Sequence, residues 1–319
     1  MNNKEKYKEI CESGEYAIPL FLQYWWMETV CKGKQWDVAL AYDGERIAAA
    51  MPYHYGRKFG MNYLLQPQLT QYSGPVYFYP AGLTQGKKLD FEKEAAEELL
   101  RQVESRRPVI FLQHLSPAVT NWLPFYWAGY RQTTRYTYRL EDIRDTEKVF
   151  ENFKDENRQG KIRRCQKSTT LRFDMTPTQF AEFHHGYWAS KGKKDLLSEE
   201  LITRVCQTAI DRGNGVIASL HDEEGNLLAA RFAVYDKECA HSLMSAINMR
   251  LHKSGHSETL IWGLINHLST RTIAYDFEGS MDPGIEHFYR SFGTKQTPFS
   301  VIYKYRFPLL AKLIGLKNM

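Results

Sequence analysis

Asp276 and Glu278 close the short apolar stretch Ile273–Phe277. Residues two apart on a strand point to one side, so their carboxyls share a face while Tyr275 and Phe277 take the other. A carboxylate at a strand end can orient or deprotonate an amine nucleophile. It can equally cap the helix that Pro283-Gly284 opens. Arg231 stands inside a strand of small apolar residues. A buried guanidinium there needs a substrate carboxylate or phosphate, or a structural ion pair. The loop Asn248–Glu258, with Arg250, Lys253, Gly255 and Ser257, leads straight into a helix. The free N–H groups of a helix start suit a phosphate, and a capped start with a polar loop fits the same string.

Two further stretches join these. Asn157–Arg172 holds six Lys/Arg and no acid, Arg164 and Lys167 among them. Arg163 and Lys167 are four apart, one face of a helix. That face can grip the phosphates of a nucleotide sugar, a coenzyme or a tRNA end, or it can simply be solvated. The loop QPQLTQYSG, with Gln71 and Tyr72, lines a cleft from the chain's first half if such a cleft exists; its Gly74-Pro75 is certain only as a turn.

The remaining chemistry is thin. No phosphate-binding Walker loop, no GxSxG elbow and no Rossmann glycine string occurs. The ten histidines show no HxH or HExxH spacing, so no metal is expected. Five scattered cysteines with no CxxC pair argue against a disulfide framework or a zinc site and fit a reducing compartment. A polar N-terminus is unlike a signal peptide, and no apolar run approaches the roughly 18 residues of a membrane span. A cytoplasmic protein is the expectation. A net charge of +5 eases the approach of a phosphate-bearing ligand without indicating nucleic acid.

These residues must be held by an α/β scaffold, and 319 residues suggest about two domains. Helices are predicted at Ile18–Cys31, Phe91–Ser105, Phe180–Trp188, Glu199–Arg212 and Glu258–Thr270 from 3–4 apolar spacing. Strand signals are a hairpin through Asp43-Gly44, a buried strand Val109–Leu112, and a meander Val216–Leu220, Leu227–Tyr235, Cys239–Ile247. Two echoes argue for an internal duplication. Tyr42–Tyr55 resembles Asp222–Tyr235, and strand–helix–strand Val109–Leu140 resembles Ile273–Tyr305. Gly-x-Arg/Lys-Gln-Thr stands at the same point of each, at Gly129–Thr133 and Gly293–Thr297. The boundary is expected near Leu140–Glu147, giving lobes 1–140 and 141–306.

Phe288-Tyr289-Arg290-Ser291-Phe292-Gly293 resembles the FY-x-x-x-G element that ends the GNAT acyltransferase fold, with a weaker copy at Tyr126–Tyr130. Asp276-Phe277-Glu278-Gly279 before it, and the basic stretch 157–172, are similar to segments of the Fem-type aminoacyltransferases, which carry tandem GNAT lobes. The resemblance implies a mixed α/β fold of two GNAT-like lobes. It implies transfer of an acyl or aminoacyl group, from a CoA thioester or an aminoacyl ester, to an amine on a small-molecule or nucleotide-linked acceptor, a cell-envelope precursor among them. Acetyl-CoA or another acyl-CoA is the implied cofactor, held at Arg250, Lys253, Gly255 and Ser257, where GNAT enzymes hold the coenzyme's pyrophosphate. Arg231, Arg164, Lys167, Gln71 and Tyr72 are the implied substrate contacts. The reaction centre falls at Glu278 and Tyr289, the latter where the family has lysine. Such enzymes stabilise an oxyanion with backbone N–H groups of a splayed strand and need no nucleophile. A non-catalytic ligand-binding pair of lobes and an RNA-binding module are the alternatives, and tRNA is a possible partner. The tail 307–319 reads as an amphipathic helix that packs on the first lobe or touches a membrane peripherally.

Overall fold

The computed structural model describes residues 2–153 and 157–307. They divide into two compact units: residues up to Arg135 with those from Pro298 onward, and Tyr136–Thr297.

In the first unit α1 (Asn3–Ser13) starts on an Asn2 capping box with Glu5. The helix predicted over Ile18–Cys31 is instead a 3-10 turn, Leu20–Leu22, and α2 (Tyr24–Val30), because Gln23 is extended between them. β1 (Gln35–Asp43) and β2 (Arg46–Lys58) form the expected hairpin, and β3 (Met61–Leu65) pairs antiparallel with β2. The short β4 (Val76–Tyr77) also pairs with β2. α3 (Gln85–Ser105) lays Ala95, Leu99, Leu100 and Val103 on Ala39, Ala41 and Ala49, whose small side chains let it sit close. β5 (Ile110–His114) runs parallel to β3. α4 (Leu123–Trp127) leads to β6 (Arg131–Leu140), whose residues from Tyr136 belong to the second unit.

The second unit continues with α5 (Thr146–Glu151), α6 (Arg158–Cys165), β7 (Thr169–Arg172), α7 (Pro177–Ser190) and α8 (Glu199–Asp211). Then come β8 (Gly215–Asp222), β9 (Leu227–Tyr235), β10 (Cys239–Ile247), α9 (His256–Leu268), β11 (Ala274–Asp276), α10 (Pro283–Arg290) and β12 (Lys295–Tyr305). Its strand order is β7-β8-β9-β10-β11-β6. β10 and β11 are parallel, and the other pairs in this order are antiparallel. α9 buries Leu260, Ile261, Leu264 and Ile265 with Ala229, Ala233, Ala240 and Phe277. The other face of β9 meets α7, where Phe180 lies against Phe232.

The second lobe was expected to run from 141 to 306. From Pro298 onward β12 instead falls in the first unit, because Val301–Tyr305 pair with β5. Gly129 and Gly293, the repeated glycines, both take positive φ (81° and 69°) where α4 and α10 end. Apart from Phe307, the expected tail helix lies outside the described residues.

Candidate active site

β10 and β11 pair only as far as His241 and Asp276, and then part. Three features cause this. β10 has a register irregularity against β9 between His241 and Met244. Past β11, the Phe277 N–H donates to the Tyr138 carbonyl at 2.9 Å, drawing the chain toward β6. Gly279 then lies so near β6 that a Cβ would stand 1.7 Å from the Tyr136 carbonyl oxygen. Among the described residues, β10 from Ser242 to Ile247 has no strand on its β11 side.

On one side of this parting lies a buried polar group. Asp276 is fully enclosed. Its Oδ1 accepts from the Thr137 hydroxyl and from the Glu278 N–H at 2.8 Å. Its Oδ2 is 3.8 Å from Arg139 Nε and 4.0 Å from His241 Nδ1. Burial holds the His241 imidazole below its ordinary value despite Asp276, so it is neutral at pH 7. Glu278 takes φ +55°, and its Oε1 is enclosed with no hydrogen-bond partner among the described residues. Burial first, and the Asp276 charge second, raise its carboxyl well above the carboxylate range. Its proton is therefore held more tightly than that of an ordinary carboxyl.

Cys239 joins His241 and Asp276, and the three bring a thiol, an imidazole and a carboxylate within 4.8 Å of one another. Histidine spacing gave no hint of this cluster, because β10 and β11 meet only through register. Arg139 already stands beside Asp276 as its counter-cation, and hydrogen bonds occupy the other oxygen. The carboxylate's charge is thus met within the chain.

On the opposite side of the strand line stand Arg231 and Tyr289. Arg231 is 7% exposed, donates Nη1 to the Ser242 hydroxyl, and keeps Nε enclosed without a partner. No carboxylate pairs with it among the described residues. Tyr289 packs its ring on Phe277 (5.2 Å) and Tyr138 (6.5 Å). Its hydroxyl meets no hydrogen-bond partner among the described residues. Tyr289 thus reaches Phe277 from α10, while Glu278 follows it in the chain.

The loop before α9 is built differently from a simple phosphate cradle. Gly255, at φ 101°, donates its N–H to Glu258 Oε2 at 3.1 Å, so that amide is already used. Ser257 Oγ is 2.8 Å from His252 Nε2. Glu258 in turn receives Arg158 Nη1 at 2.6 Å. Arg158 is 1% exposed, lies against the rings of Phe288 and Phe292, and also donates to Ser291. One residue of the basic stretch is thus a buried brace joining α6, α9 and α10. Arg164 and Lys167 are exposed, and Lys167 lies past the end of α6 at Cys165. Arg250 and Lys253 are exposed. Arg250 lines a cavity of about 750 Å³ with Arg172, Asp174, Glu182, Tyr187 and His221. Gln71 and Tyr72 belong to the first unit, where Tyr72 is core between Phe21 and Phe299.

Residues 154–288 match the family described as "Acetyltransferase (GNAT) domain". The second unit is a GNAT domain. The whole chain is similar in fold to the crystal structure of FemX, at TM-score 0.69 and 10% identity over 98% of each chain. L-PGS from Bacillus licheniformis follows at 0.60 and 14%, covering 97% of this chain and 94% of that one. A tandem GNAT protein of the clavulanic acid biosynthesis pathway gives 0.53 and 10%, over 94% and 92%. At such low identity the likeness shows the fold alone, a tandem GNAT fold, in line with the duplicated glycines. No curated protein matches the chain. No described helix is long and apolar enough to cross a membrane.

Proposed function

We propose that this GNAT-type acyltransferase moves an aminoacyl or acyl group to an amine at the parting of β10 and β11. The observation that supports the reading is an open β10 edge flanked by Glu278, whose carboxyl is raised by burial, and by a buried Arg231 that no carboxylate pairs among the described residues. The neutral amine attacks the carbonyl carbon, and β11-facing N–H groups of β10 beyond His241 receive the oxyanion. As the adduct collapses, the C–O or C–S bond breaks and Glu278 gives its proton to the leaving atom. It recovers a proton from the new amide nitrogen, so the enzyme ends as it began. Arg231 binds a carboxylate or phosphate of one substrate.

An aminoacyl ester fits better than acyl-CoA as the donor. Glu258 occupies the start of α9 with its own carboxylate and takes the Gly255 amide, leaving less for a coenzyme pyrophosphate. The fold likeness to FemX and L-PGS points the same way. The acceptor is then an amine or a lipid- or nucleotide-linked group of the cell envelope.

A thermal-shift screen tests this with an aminoacyl-ester analogue, acetyl-CoA, longer acyl-CoAs and nucleotide sugars. A true donor at about 100 times its Kd stabilises the chain by roughly 2.7 kcal/mol. A shift with acyl-CoA alone reverses the donor assignment, and no shift with any donor removes the enzymatic reading.

A further inference from the structure

The turn between β2 and β3 is built at a cost. Lys58 pairs with Met61, so Phe59 and Gly60 alone make the turn, with φ of 50° and 78°. Turns of this kind favour Asn or Gly at the first position, because a bulky side chain at positive φ is strained. Phe59 recovers nothing by packing, since it is 87% exposed. Strain held without a packing return is a mark of function. Cations flank the ring: Lys58 Nζ stands 5.5 Å from its centroid, and Arg57 Nε donates to the Gly60 carbonyl at 3.2 Å.

Beside this tip the first unit has a groove of about 1140 Å³. Met61, Leu65, Ile110 and Leu112 give it an apolar floor, while Lys34, Arg57, Lys58 and Arg135 stand around it. No Asp or Glu is among its described lining residues. Two imidazoles lie within it. Burial chiefly, and then Lys34, lowers His54; burial and then Arg135 lower His114 to about 4. Both are neutral at pH 7, so they add no charge of their own to the groove.

We infer that this face of the first unit docks on an anionic lipid bilayer. Phe59 enters the interface, the cations around it meet lipid phosphates, and the apolar floor receives part of a lipid. Charge complementarity selects this occupant, because an apolar groove ringed by cations without acids repels a basic peptide and suits an anionic amphiphile. The inference is independent of the acyl-transfer reading, which concerns the second unit.

Sedimentation of the full chain with vesicles tests it. Wild type should bind vesicles containing phosphatidylglycerol, weakly bind pure phosphatidylcholine, and lose affinity as salt rises. Lys58→Glu should weaken binding to the anionic vesicles roughly thirtyfold at low salt, two units of surface charge being changed. Phe59→Asn should weaken it about tenfold. The same substitution should raise the melting temperature, because Asn tolerates the left-handed conformation, so lost binding cannot be blamed on misfolding. Equal binding to neutral vesicles, or wild-type binding by both variants, overturns the inference. So does a chain ending at Phe307 that loses binding while both variants keep it, for the tail would then be the anchor.

Discussion

Replacing Arg158 by Met should destabilise the second unit by about 3–5 kcal/mol, the range for removing one partner of a buried ion pair. The structure supports the upper part of that range. Arg158 is 1% exposed and joins Glu258 at 2.6 Å. It also donates to Ser291 and lies against two phenyl rings. Methionine keeps much of the ring packing, so the loss isolates the charge and its hydrogen bonds. Glu258 is left buried with its charge unmet, its remaining hydrogen bond among the described residues coming from the Gly255 amide. Glu258→Gln alone should cost less, because the amide still accepts from Arg158. The double variant Arg158→Met, Glu258→Gln should recover at least half of the first loss, since no uncompensated carboxylate remains. Urea unfolding followed by tryptophan fluorescence reads this, as Trp262 of α9 packs beside α5 at Phe150. A loss under about 1 kcal/mol for Arg158→Met, or simple additivity in the double variant, would refute the brace.

Glu278→Gln removes a carboxyl whose folded pKa is raised. That group's stability contribution is full below the ordinary carboxylate range and is lost as pH rises toward its folded value. The variant should therefore melt increasingly above wild type from about pH 5 upward, and a pH-independent difference contradicts the burial argument. It should also lower turnover more than substrate affinity. Arg231→Met should leave the melting temperature near wild type, since no ion pair is lost, yet weaken anionic-substrate binding by about 1–3 kcal/mol in calorimetry. Gly279→Ala drives a methyl into the Tyr136 carbonyl. It should cost about 1–3 kcal/mol in denaturant unfolding, and a neutral result means the chain past β11 does not hug β6 as described.

Much of the scaffold could be read from residue patterns because apolar spacing set it locally. The meander, the hairpin and the duplicated Gly-x-Arg/Lys-Gln-Thr each follow from short-range rules. α1 escaped notice because it is polar nearly all round, with Tyr7 alone buried. The helix over Ile18–Cys31 broke where Gln23 turned extended, a choice that apolar spacing does not encode. The site was less legible. A run of six cations reads as one basic face, yet Arg158 is buried by a partner 100 residues away. The Cys239–His241–Asp276 cluster needs the parallel register of β10 and β11, although alternating Cys-x-His on a strand was a signal available to find half of it. Glu278 was identified, but its raised pKa depends on burial and on Asp276, which spacing cannot supply.

The most direct test of the reaction centre is hydrogen–deuterium exchange of the second unit's amides with and without an aminoacyl-ester analogue. Among the described residues, the β10 amides of Ser242 to Ile247 that face the β11 side meet no strand there and should slow when the donor's carbonyl is bound. Protection confined to the Arg172–Arg250 cavity, with Ser242–Ile247 unchanged at saturating analogue, would place the chemistry elsewhere and contradict the account.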